Sequence, residues 1–345
     1  MDMSGRADRI TGQPGGAGRA HRDDATGARA APSRGALLRR AGLAAGTTLA
    51  ASSLLVPPAD ATAGAPSGAA SPGAPPSTSG YYVEAASGVR VFVQDLGAGP
   101  PLVLVHGFAL NSRSWEYQAG AFARAGFRVV APDLRGFGWS DKPLGPYTYD
   151  AFAGDVAAVL EALDLRGVTL LGHSLGGAIA LHTAAVHPGR IAKLVLAAAA
   201  APVGARRPDY HYGPPPSALQ PFIDLLARDR PAALAAFART FFHTAVSPPF
   251  AQWFQDLNLE AAPWASLAAF ALLRDTDLRA DLPRVRVPTL VVQGLDDQVT
   301  LKALTGDRLA TGIAGARYVT YPDCGHGVWY DQRDRFNRDV LAFAR

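Results

Sequence analysis

Residues 168–177 read VTLLGHSLGG, and this stretch decides how the surrounding chain folds. Val168–Leu171 is a continuous apolar run, which is typical of a strand buried on both faces. Leu175–His187 has the pattern of a helix, so the two elements meet at GHSLG, residues 172–176. This G-x-S-x-G pattern predicts a tight strand–turn–helix that exposes Ser174 as a nucleophile, because the glycines leave room for a strained backbone. The alternative is an ordinary turn with a capping serine.

Outward from this stretch, apolar runs that look like strands alternate with helical patterns. The predicted strands are 81–84, 89–94, 102–105, 128–131, 168–171, 194–197, 289–293 and 316–321, and the predicted helices around them are 115–125, 149–163, 175–187 and 332–344. Buried strands that alternate with helices predict an α/β protein with a mainly parallel, doubly wound sheet and helices on both faces.

One long interval breaks this alternation between two late strands. From about residue 204 to residue 282 there is no buried strand, and the pattern predicts several helices instead. A helical insertion at this point predicts a cap over the edge of the sheet. Phe242, Trp253 and Trp264 are candidates for lining a substrate pocket under the cap, and the alternative is that these aromatics form an ordinary core.

The residues that would serve a nucleophilic serine follow it in the order Ser…Asp…His. A serine hydroxyl needs a base in contact with it, and the base needs an acid that orients it. Asp296 and Asp297 come directly after a predicted strand, and His326 follows the last one, so all three are expected at the active-site edge of a parallel sheet. Adjacent side chains point in different directions, so one of the two aspartates serves His326, and the pattern alone leaves open which one.

Two backbone N–H groups are candidates for binding the oxyanion that acyl transfer creates. Leu175 directly follows Ser174, and Phe108 lies in the loop after the strand 102–105. His106 is expected to brace that loop. Cys324 is the single cysteine, which excludes an intramolecular disulfide and a cysteine-based zinc site, and it is expected to be buried and unreactive.

The first 63 residues predict an export signal. Arg39 and Arg40 precede a mild apolar stretch at 41–56, and small residues that fit a cleavage site follow. The paired arginines are typical of the twin-arginine route, which predicts a periplasmic or extracellular protein that meets export machinery through its leader. The alternative is a disordered basic tail.

The mature part is predicted to begin with a linker and to continue as one domain. Residues 64–80 are rich in Pro, Gly, Ser and Ala, which predicts a flexible linker before a domain at 81–345. The chain of 345 residues has a net charge of +4, and its leader alone holds eight Arg against five Asp. The remainder is nearly balanced, so no nucleic-acid-binding face is expected, and no apolar run is long enough to predict a membrane helix.

A resemblance to a known family rests on five stretches taken together. They are HGFALNSRSW (106–115), DLRGFGWSDKP (133–143), GHSLGG (172–177), DLRADLPRVRVPTLVVQGLDD (277–297) and GH (325–326). Residues 81–345 resemble the α/β-hydrolase superfamily, and are most similar to its arylesterase and cofactor-free, non-haem haloperoxidase group. The resemblance implies the α/β-hydrolase fold, Ser174 as nucleophile, Asp297 as acid, His326 as base, and Phe108 and Leu175 as oxyanion donors.

The resemblance, taken together with the export signal at 1–63, predicts an exported serine hydrolase. It would cleave carboxylic esters or lactones of small to medium apolar substrates through an acyl-enzyme, without a metal or organic cofactor. Ala109 and Leu175 differ from the residues common in peracid-forming members, which argues against perhydrolysis or halogenation as a main role. The alternatives are C–C bond, lactam or amide hydrolysis, perhydrolysis or haloperoxidase-type chemistry, acyl transfer and, more remotely, a non-catalytic binding module on this fold.

Overall fold

The strands on either side of Ser174 belong to an eight-stranded sheet. The computed structural model describes residues 78–85 and 87–345. The strands are β1 (Thr78–Glu84), β2 (Arg90–Leu96), β3 (Pro101–Val105), β4 (Arg128–Pro132), β5 (Val168–His173), β6 (Ile191–Ala197), β7 (Thr289–Gly294) and β8 (Arg317–Tyr321). Their spatial order is β1-β2-β4-β3-β5-β6-β7-β8. The pairs β1–β2 and β2–β4 are antiparallel and the others are parallel, which confirms the mainly parallel α/β sheet.

In the described part of the chain, helices lie between the strands from β3 onwards and also follow β8. They are α1 (Glu116–Arg124), α2 (Tyr149–Ala162), α3 (Leu175–Val186), α4 (Gln220–Arg228), α5 (Arg230–Arg239), α6 (Pro248–Leu259), α7 (Pro263–Asp275), α8 (Gly306–Gly312), α9 (Val328–Asp331) and α10 (Arg333–Ala344). Proline in the first turn begins α6 and α7, where its missing N–H leaves no backbone bond unmade. None of these described helices has the length and apolar character that crossing a membrane requires.

Both faces of the central strands are buried, which explains why the sequence shows continuous apolar runs there. Successive side chains of a strand point to opposite faces. In β3, Val103 and Val105 join a core that includes residues of α2 and α3. Leu102 and Leu104 join a second core that includes residues of α1 and α10. The sheet is therefore doubly wound, as predicted, and helices cover it on both sides.

The helical insertion predicted between two late strands is confirmed. Helices α4, α5, α6 and α7 all lie between β6 and β7. Helix α5 ends at Arg239, and Phe241, two residues later, belongs to the second core. At the other end of the domain, β1 begins at Thr78, inside the predicted linker. The predicted leader, 1–63, and most of the predicted linker lie outside the described residues.

Candidate active site

Ser174 lies at the sharp turn between β5 and α3. Its backbone has φ 54° and ψ −119°, a conformation that few residues other than glycine adopt. A side chain at Gly172 would collide with the carbonyl group of Gly176, and a side chain at Gly176 would collide with that of Val105. Both glycines of the motif are therefore required by close backbone approach. The turn leaves the serine at the N-terminus of α3, where free N–H groups and the helix dipole favour negative charge.

Asp297 is buried in the loop after β7 and is surrounded by donors. One carboxylate oxygen, Oδ1, accepts from the backbone N–H groups of Val299 and Thr300, both at 2.8 Å. The other, Oδ2, accepts from Thr300 Oγ1 at 2.6 Å and from Gln293 Nε2 at 3.1 Å. Nδ1 of His326 lies 3.0 Å from the same Oδ2. The carboxylate is thus fixed in the orientation that holds the imidazole.

The structure brings Asp297, and not Asp296, to the histidine. Asp296 is exposed, and its Oδ2 accepts from the backbone N–H of Cys324 at 3.3 Å and lies 3.4 Å from Nδ1 of His243. Cys324 is buried, as expected. Although burial by itself raises the pKa of Asp297, the charge and hydrogen bond of His326 and the bonds from Thr300 outweigh it, so that this pKa lies below its ordinary value.

His326 is fully buried, and one of its two ring nitrogens is left free. Nδ1 faces the carboxylate of Asp297, so in the neutral ring Nδ1 carries the proton and Nε2 carries the lone pair. Among the described residues Nε2 is buried without a hydrogen-bond partner, and no hydrogen bond joins it to Ser174 Oγ. Catalytic contacts of this kind often tighten only when substrate binds. The free Nε2 is therefore the atom of this site that can accept a proton.

His173, the residue before Ser174, holds His326 from the other side. Its Nε2 donates to the backbone oxygen of His326 at 3.0 Å, and the two rings lie 4.7 Å apart. Burial lowers the pKa of His173 well below its ordinary value, and the neighbouring His326 lowers it further. His173 therefore stays neutral and adds no positive charge beside His326. Its position inside the G-x-S-x-G motif was visible in the sequence, but this role was not predicted.

The two predicted oxyanion donors flank Ser174 on different elements. Phe108 and Leu175 are buried, and in the described part of the chain neither backbone N–H donates to another backbone group. His106 braces the loop that carries Phe108, as expected. Its Nε2 accepts from the N–H of Leu134 at 2.9 Å, and its Nδ1 donates to the backbone oxygen of Gly107 at 2.9 Å. Both N–H groups are therefore available to a developing oxyanion.

A cavity of about 230 Å³ lies over Ser174, between the sheet and the cap. Much of its wall is apolar, and the largest apolar side chains in it are Phe108, Leu219, Phe222, Phe237, Phe270, Leu273 and Leu304. Phe270 contacts both Phe108 and Phe222, with ring centroids 5.5 and 4.6 Å apart. The space beside the serine is thus shaped mainly by α4, α5, α7 and the loop that carries Phe108.

The three cap aromatics predicted to line the pocket lie elsewhere, which corrects that prediction. Phe242 packs in an aromatic cluster with Phe254, at a centroid distance of 5.1 Å, and lies partly buried against the second core. Trp253 borders a separate cleft beside β4. Trp264 is 41% exposed, and its Nε1 donates to the oxygen of Pro143 at 2.8 Å. Helix α6 turns its apolar side towards the second core, so its aromatics do not reach the cavity.

The aromatic residues that do line the cavity carried a weaker sequence signal. On α7, Phe270, Leu273 and Arg274 follow the i, i+3, i+4 spacing of a single helix face. The same spacing is typical of any helix packed on a core. Periodicity therefore predicts which side of the helix is buried, but not whether that side contacts the core or the cavity. The orientation of each cap helix about its own axis determines which of its residues line the cavity. This orientation cannot be predicted from the sequence pattern.

Comparison with known proteins adds to this geometry. Residues 100–332 match the family described as alpha/beta hydrolase fold, and this range contains Ser174, Asp297 and His326. The chain belongs to this family. That assignment agrees with the sheet order, the position of the cap and the sharp turn at Ser174.

Relatives of this alpha/beta hydrolase carry esterase and haloperoxidase names. The chain is 38% identical over 266 residues to the AB hydrolase superfamily protein YisY of Bacillus subtilis (strain 168), covering 77% of this chain and 99% of that protein. It is 35% identical over 283 residues to a non-heme chloroperoxidase of Streptomyces lividans, covering 76% and 99%. The solved esterase EaEST from Exiguobacterium antarcticum is similar with a TM-score of 0.75 and 36% identity, covering 77% of this chain and 99% of that one.

Three side chains of the types that can bind metal ions lie close together near this site, but they are not part of it. Within the described residues, His243, Asp296 and Asp323 approach one another on the surface, and all three are exposed. Asp297 and His326 are buried and face each other instead. The arrangement at Ser174 consists of hydroxyl, imidazole and carboxylate groups, which suits proton transfer and nucleophilic attack.

Proposed function

We propose that the protein is a serine hydrolase that cleaves carboxylic esters or lactones of small to medium apolar acids through an acyl-enzyme. One observation carries the proposal: the buried pair Asp297–His326, joined at 3.0 Å, leaves Nε2 without a partner, and Ser174 opens into an apolar cavity on the same side of the sheet edge. Esterases among the relatives support the same chemistry.

In the acylation step the proton moves from serine to histidine. Ser174 Oγ attacks the carbonyl carbon of the ester, and its proton passes to Nε2 of His326. Asp297 accepts from Nδ1–H and stabilises the imidazolium that results. The oxyanion accepts hydrogen bonds from the N–H groups of Phe108 and Leu175, whose fixed positions require no reorganisation during the reaction.

Collapse of the tetrahedral intermediate then breaks the bond to the alcohol. The leaving alkoxide takes the proton from Nε2 of His326, which leaves the acyl group esterified to Ser174. In deacylation, Nε2 accepts a proton from water while the water oxygen attacks the acyl carbon. The second intermediate releases the carboxylic acid and returns the proton to Ser174 Oγ, so both steps use one base.

The size of the cavity sets an expectation for the acyl group. At about 230 Å³ the cavity is smaller than the pockets of roughly 300 to 1,000 Å³ that hold drug-sized ligands, so it suits a small to medium acyl group. Its aromatic lining favours an unbranched medium chain or a single aromatic ring over a charged acyl group. We therefore expect best turnover with esters of acids of about six to eight carbons.

Hydrolysis of p-nitrophenyl esters from acetate to decanoate tests the proposal. We expect turnover with an optimum at medium chain length, and a loss of roughly four to six orders of magnitude in kcat for Ser174→Ala. Ser266→Ala is the matched control, because this buried serine of α7 donates to the oxygen of Ala262 and is expected to leave turnover unchanged. Folded protein without serine-dependent turnover on any ester or lactone would contradict the proposal.

The chloroperoxidase relative favours a second candidate reaction on the same acyl-enzyme. Hydrogen peroxide in place of water would attack the acyl carbon and release a peracid. Peracid-forming members of the group that this sequence resembles often have proline after the oxyanion residue. Here Ala109 follows Phe108 with φ 56°, a backbone that proline does not adopt, so hydrolysis is proposed as the main reaction. Adding peroxide to the ester assay separates the two, since a peracid yield above the yield of free acid would reverse this order.

We also propose that residues 1–63 direct export by the twin-arginine route. Support comes from Arg39 and Arg40 before a mild apolar stretch with small residues after it. Replacing both arginines by lysine is expected to retain the protein in the producing cell. Arg34→Lys, in the same leader, is the control that is expected to be exported. Equal export of both variants would contradict this route.

A further inference from the structure

The hydroxyl of Thr300 lies at the junction of the carboxylate and the imidazole. Oγ1 is 2.6 Å from Asp297 Oδ2 and 3.2 Å from His326 Nδ1, and Nδ1 is itself 3.0 Å from the same Oδ2. The three atoms form a small, fully buried triangle. A third neighbour, the backbone oxygen of Ala198, lies 3.1 Å from Oγ1.

A hydroxyl has one proton to donate, so its acceptors compete. The carboxylate of Asp297 is charged and closer than the oxygen of Ala198, and charge-assisted bonds are the stronger ones. Thr300 Oγ1–H therefore donates to Oδ2. The lone pairs of Oγ1 then face the Nδ1–H of His326, which is shared between Oδ2 and Oγ1.

We infer that Thr300 is a positioning residue, whose hydroxyl fixes Oδ2 of Asp297 and moderates the charge that this carboxylate presents to His326. The inference rests on the proposed function, in which His326 is the base. Threonine three residues after Asp297 is a property of this chain, and the sequence pattern gave no sign of a role for it.

Several contacts keep Thr300 in place beside the carboxylate. Its own N–H donates to Asp297 Oδ1 at 2.8 Å, while its hydroxyl donates to Oδ2. Thr300 therefore binds both oxygens of the carboxylate. Gln293, at the end of β7, donates through Nε2 to the backbone oxygen of Thr300 at 2.9 Å and to Oδ2 at 3.1 Å. The hydroxyl is thus held by a fixed loop, and its distance to the carboxylate does not depend on a mobile side chain.

Removing the hydroxyl has a defined electrostatic consequence. A donor on Oδ2 stabilises the carboxylate as an anion and draws charge away from the imidazole. Without it, Asp297 faces His326 with a less compensated charge, which stabilises the imidazolium. The contact between Oγ1 and Nδ1 acts in the opposite sense, but it is longer and involves a neutral acceptor. The net expectation is that the imidazolium form of His326 is more stable in the variant.

Other titratable groups near His326 remain the same in the variant. His173, at the end of β5, contacts the ring and the backbone of His326. Cys324 is in the same loop as His326, and Asp331 in α9 accepts from the N–H of Gly325. His106, in the loop after β3, lies close enough to His173 to lower the pKa of His173. None of these groups contacts Oγ1 of Thr300, so the substitution tests the hydroxyl itself.

Thr300→Val, which keeps the branched shape and removes the hydroxyl, tests the inference. Because Oδ2 of Asp297 loses one charge-assisted hydrogen bond and is then fixed less firmly, we expect kcat/KM to fall by about tenfold to a hundredfold. We also expect the acid limb of the pH profile of kcat/KM to move up by about half a pH unit, because the imidazolium is stabilised. Thr300→Ser restores the hydroxyl and is expected to restore the limb. Thr183→Val is the matched control, since this buried hydroxyl donates to the oxygen of Ile179 in α3. Thr300→Ala takes the place of the valine variant if that variant does not fold.

A nitrogen-15 NMR titration of the imidazoles measures the same shift without turnover. The resonance of His326 is assigned by its loss in His326→Ala. An upward shift in Thr300→Val that Thr300→Ser reverses supports the inference. An acid limb and a His326 titration that both stay unmoved in folded Thr300→Val would overturn it, even if activity falls. Failure of the proposed function would look different, because no ester would then show turnover dependent on Ser174.

Discussion

Ser174 is held in its strained conformation by its own backbone bonds. Its N–H donates to the oxygen of Ala197 at 3.1 Å, and its oxygen accepts from the N–H groups of Gly177 and Ala200, both at 2.9 Å. Strain of this kind costs about 1 to 3 kcal/mol and persists only where the surroundings fix it. These bonds tie the serine to β6 and α3 together, so its hydroxyl is placed by two rigid elements.

Gly107 makes this placement sensitive to a single methyl group. A Cβ at this residue would lie 2.8 Å from Nδ1 of His173 and 3.2 Å from Cβ of Ser174. We expect Gly107→Ala to displace both side chains and to lower kcat by about tenfold to a hundredfold, in line with the cost of misplacing a catalytic group by about 1 Å. Ester hydrolysis under saturating substrate measures this. Gly189→Ala, where an added Cβ meets nothing within 4 Å, is the control, and equal kcat for both variants would refute the expectation.

Asp296 and Asp297 offer a matched pair of neighbouring carboxylates. Asp297 accepts at the imidazole, whereas Asp296 is exposed and contacts the N–H of Cys324. Asp297→Asn presents an amide to Nδ1 and favours the wrong tautomer of His326, so kcat is expected to fall by about 10³- to 10⁴-fold.

Asp296→Asn keeps the size of the side chain and is expected to change kcat less than about threefold, since exposed groups away from a site contribute little. The pH profile of kcat/KM for both variants and the parent is the measurement. The assignment fails if Asp296→Asn loses the larger share of activity.

At the scale of elements, the strands and the residues that follow them were predictable from sequence. Strands such as β5 and β7 are buried on both faces, so their apolar runs are continuous and few other structures fit them. Asp297 and His326 follow strands, so sheet topology alone brings them to one edge. Helix α8 was not predicted, because Gly306–Gly312 is short and begins and ends with glycine.

The cap shows where sequence reasoning ends. Trp264 and Phe270 both lie on α7, yet Trp264 is exposed and Phe270 lines the cavity. Both residues are aromatic and both lie in a helical pattern. Their difference comes from how α7 packs on Phe108 and Phe222, which are distant in sequence. A tertiary contact of this kind is not contained in local periodicity.

This difference within α7 gives a prediction about acyl-chain length. Phe270→Ala removes the six ring carbons of a phenyl group from the cavity wall, and the surrounding side chains relax into part of that space. The optimum among p-nitrophenyl esters is therefore expected to move towards longer chains by about two to four carbons. Trp264→Ala removes a larger ring from the same helix and is expected to leave the optimum in place. The ratio of kcat/KM for decanoate and butyrate measures the change, and an equal shift in the two variants would show that the cavity is not the acyl site.

At the scale of the whole molecule, one histidine connects the cap to the helices on the sheet. His182 in α3 places Nδ1 2.7 Å from Asp281 Oδ2, in the segment between α7 and β7, and Nε2 2.9 Å from Asp150 Oδ1, at the start of α2. Arg284 lies 3.6 Å from Asp281 on the side away from the ring. With a carboxylate on each nitrogen, the imidazole forms both bonds fully only as a cation.

This bridge predicts how stability changes with pH. The hydrogen bond to Asp281 raises the pKa of His182 above its ordinary value of 6.5, burial partly opposes this, and Asp150 adds to the rise. A group whose pKa is higher in the folded state stabilises that state fully below its unfolded value. The contribution is then lost as pH rises from about 6.5 through the folded value. The bridge is expected to be worth about 1 to 2 kcal/mol when charged.

Urea unfolding of the parent and of His182→Gln between pH 5.5 and pH 9 measures this contribution. Other groups titrate in the same range, so the difference between the two proteins is the informative quantity. That difference is expected to be largest at the acid end and to shrink steadily above pH 6.5, because the neutral ring keeps only one donated bond. His211→Gln, at an exposed loop histidine, is expected to give a small difference without this slope. A difference for His182→Gln that is constant, or that grows with pH, would mean that the ring is neutral in the folded protein and that Asp150 does not share in holding the cap to the sheet.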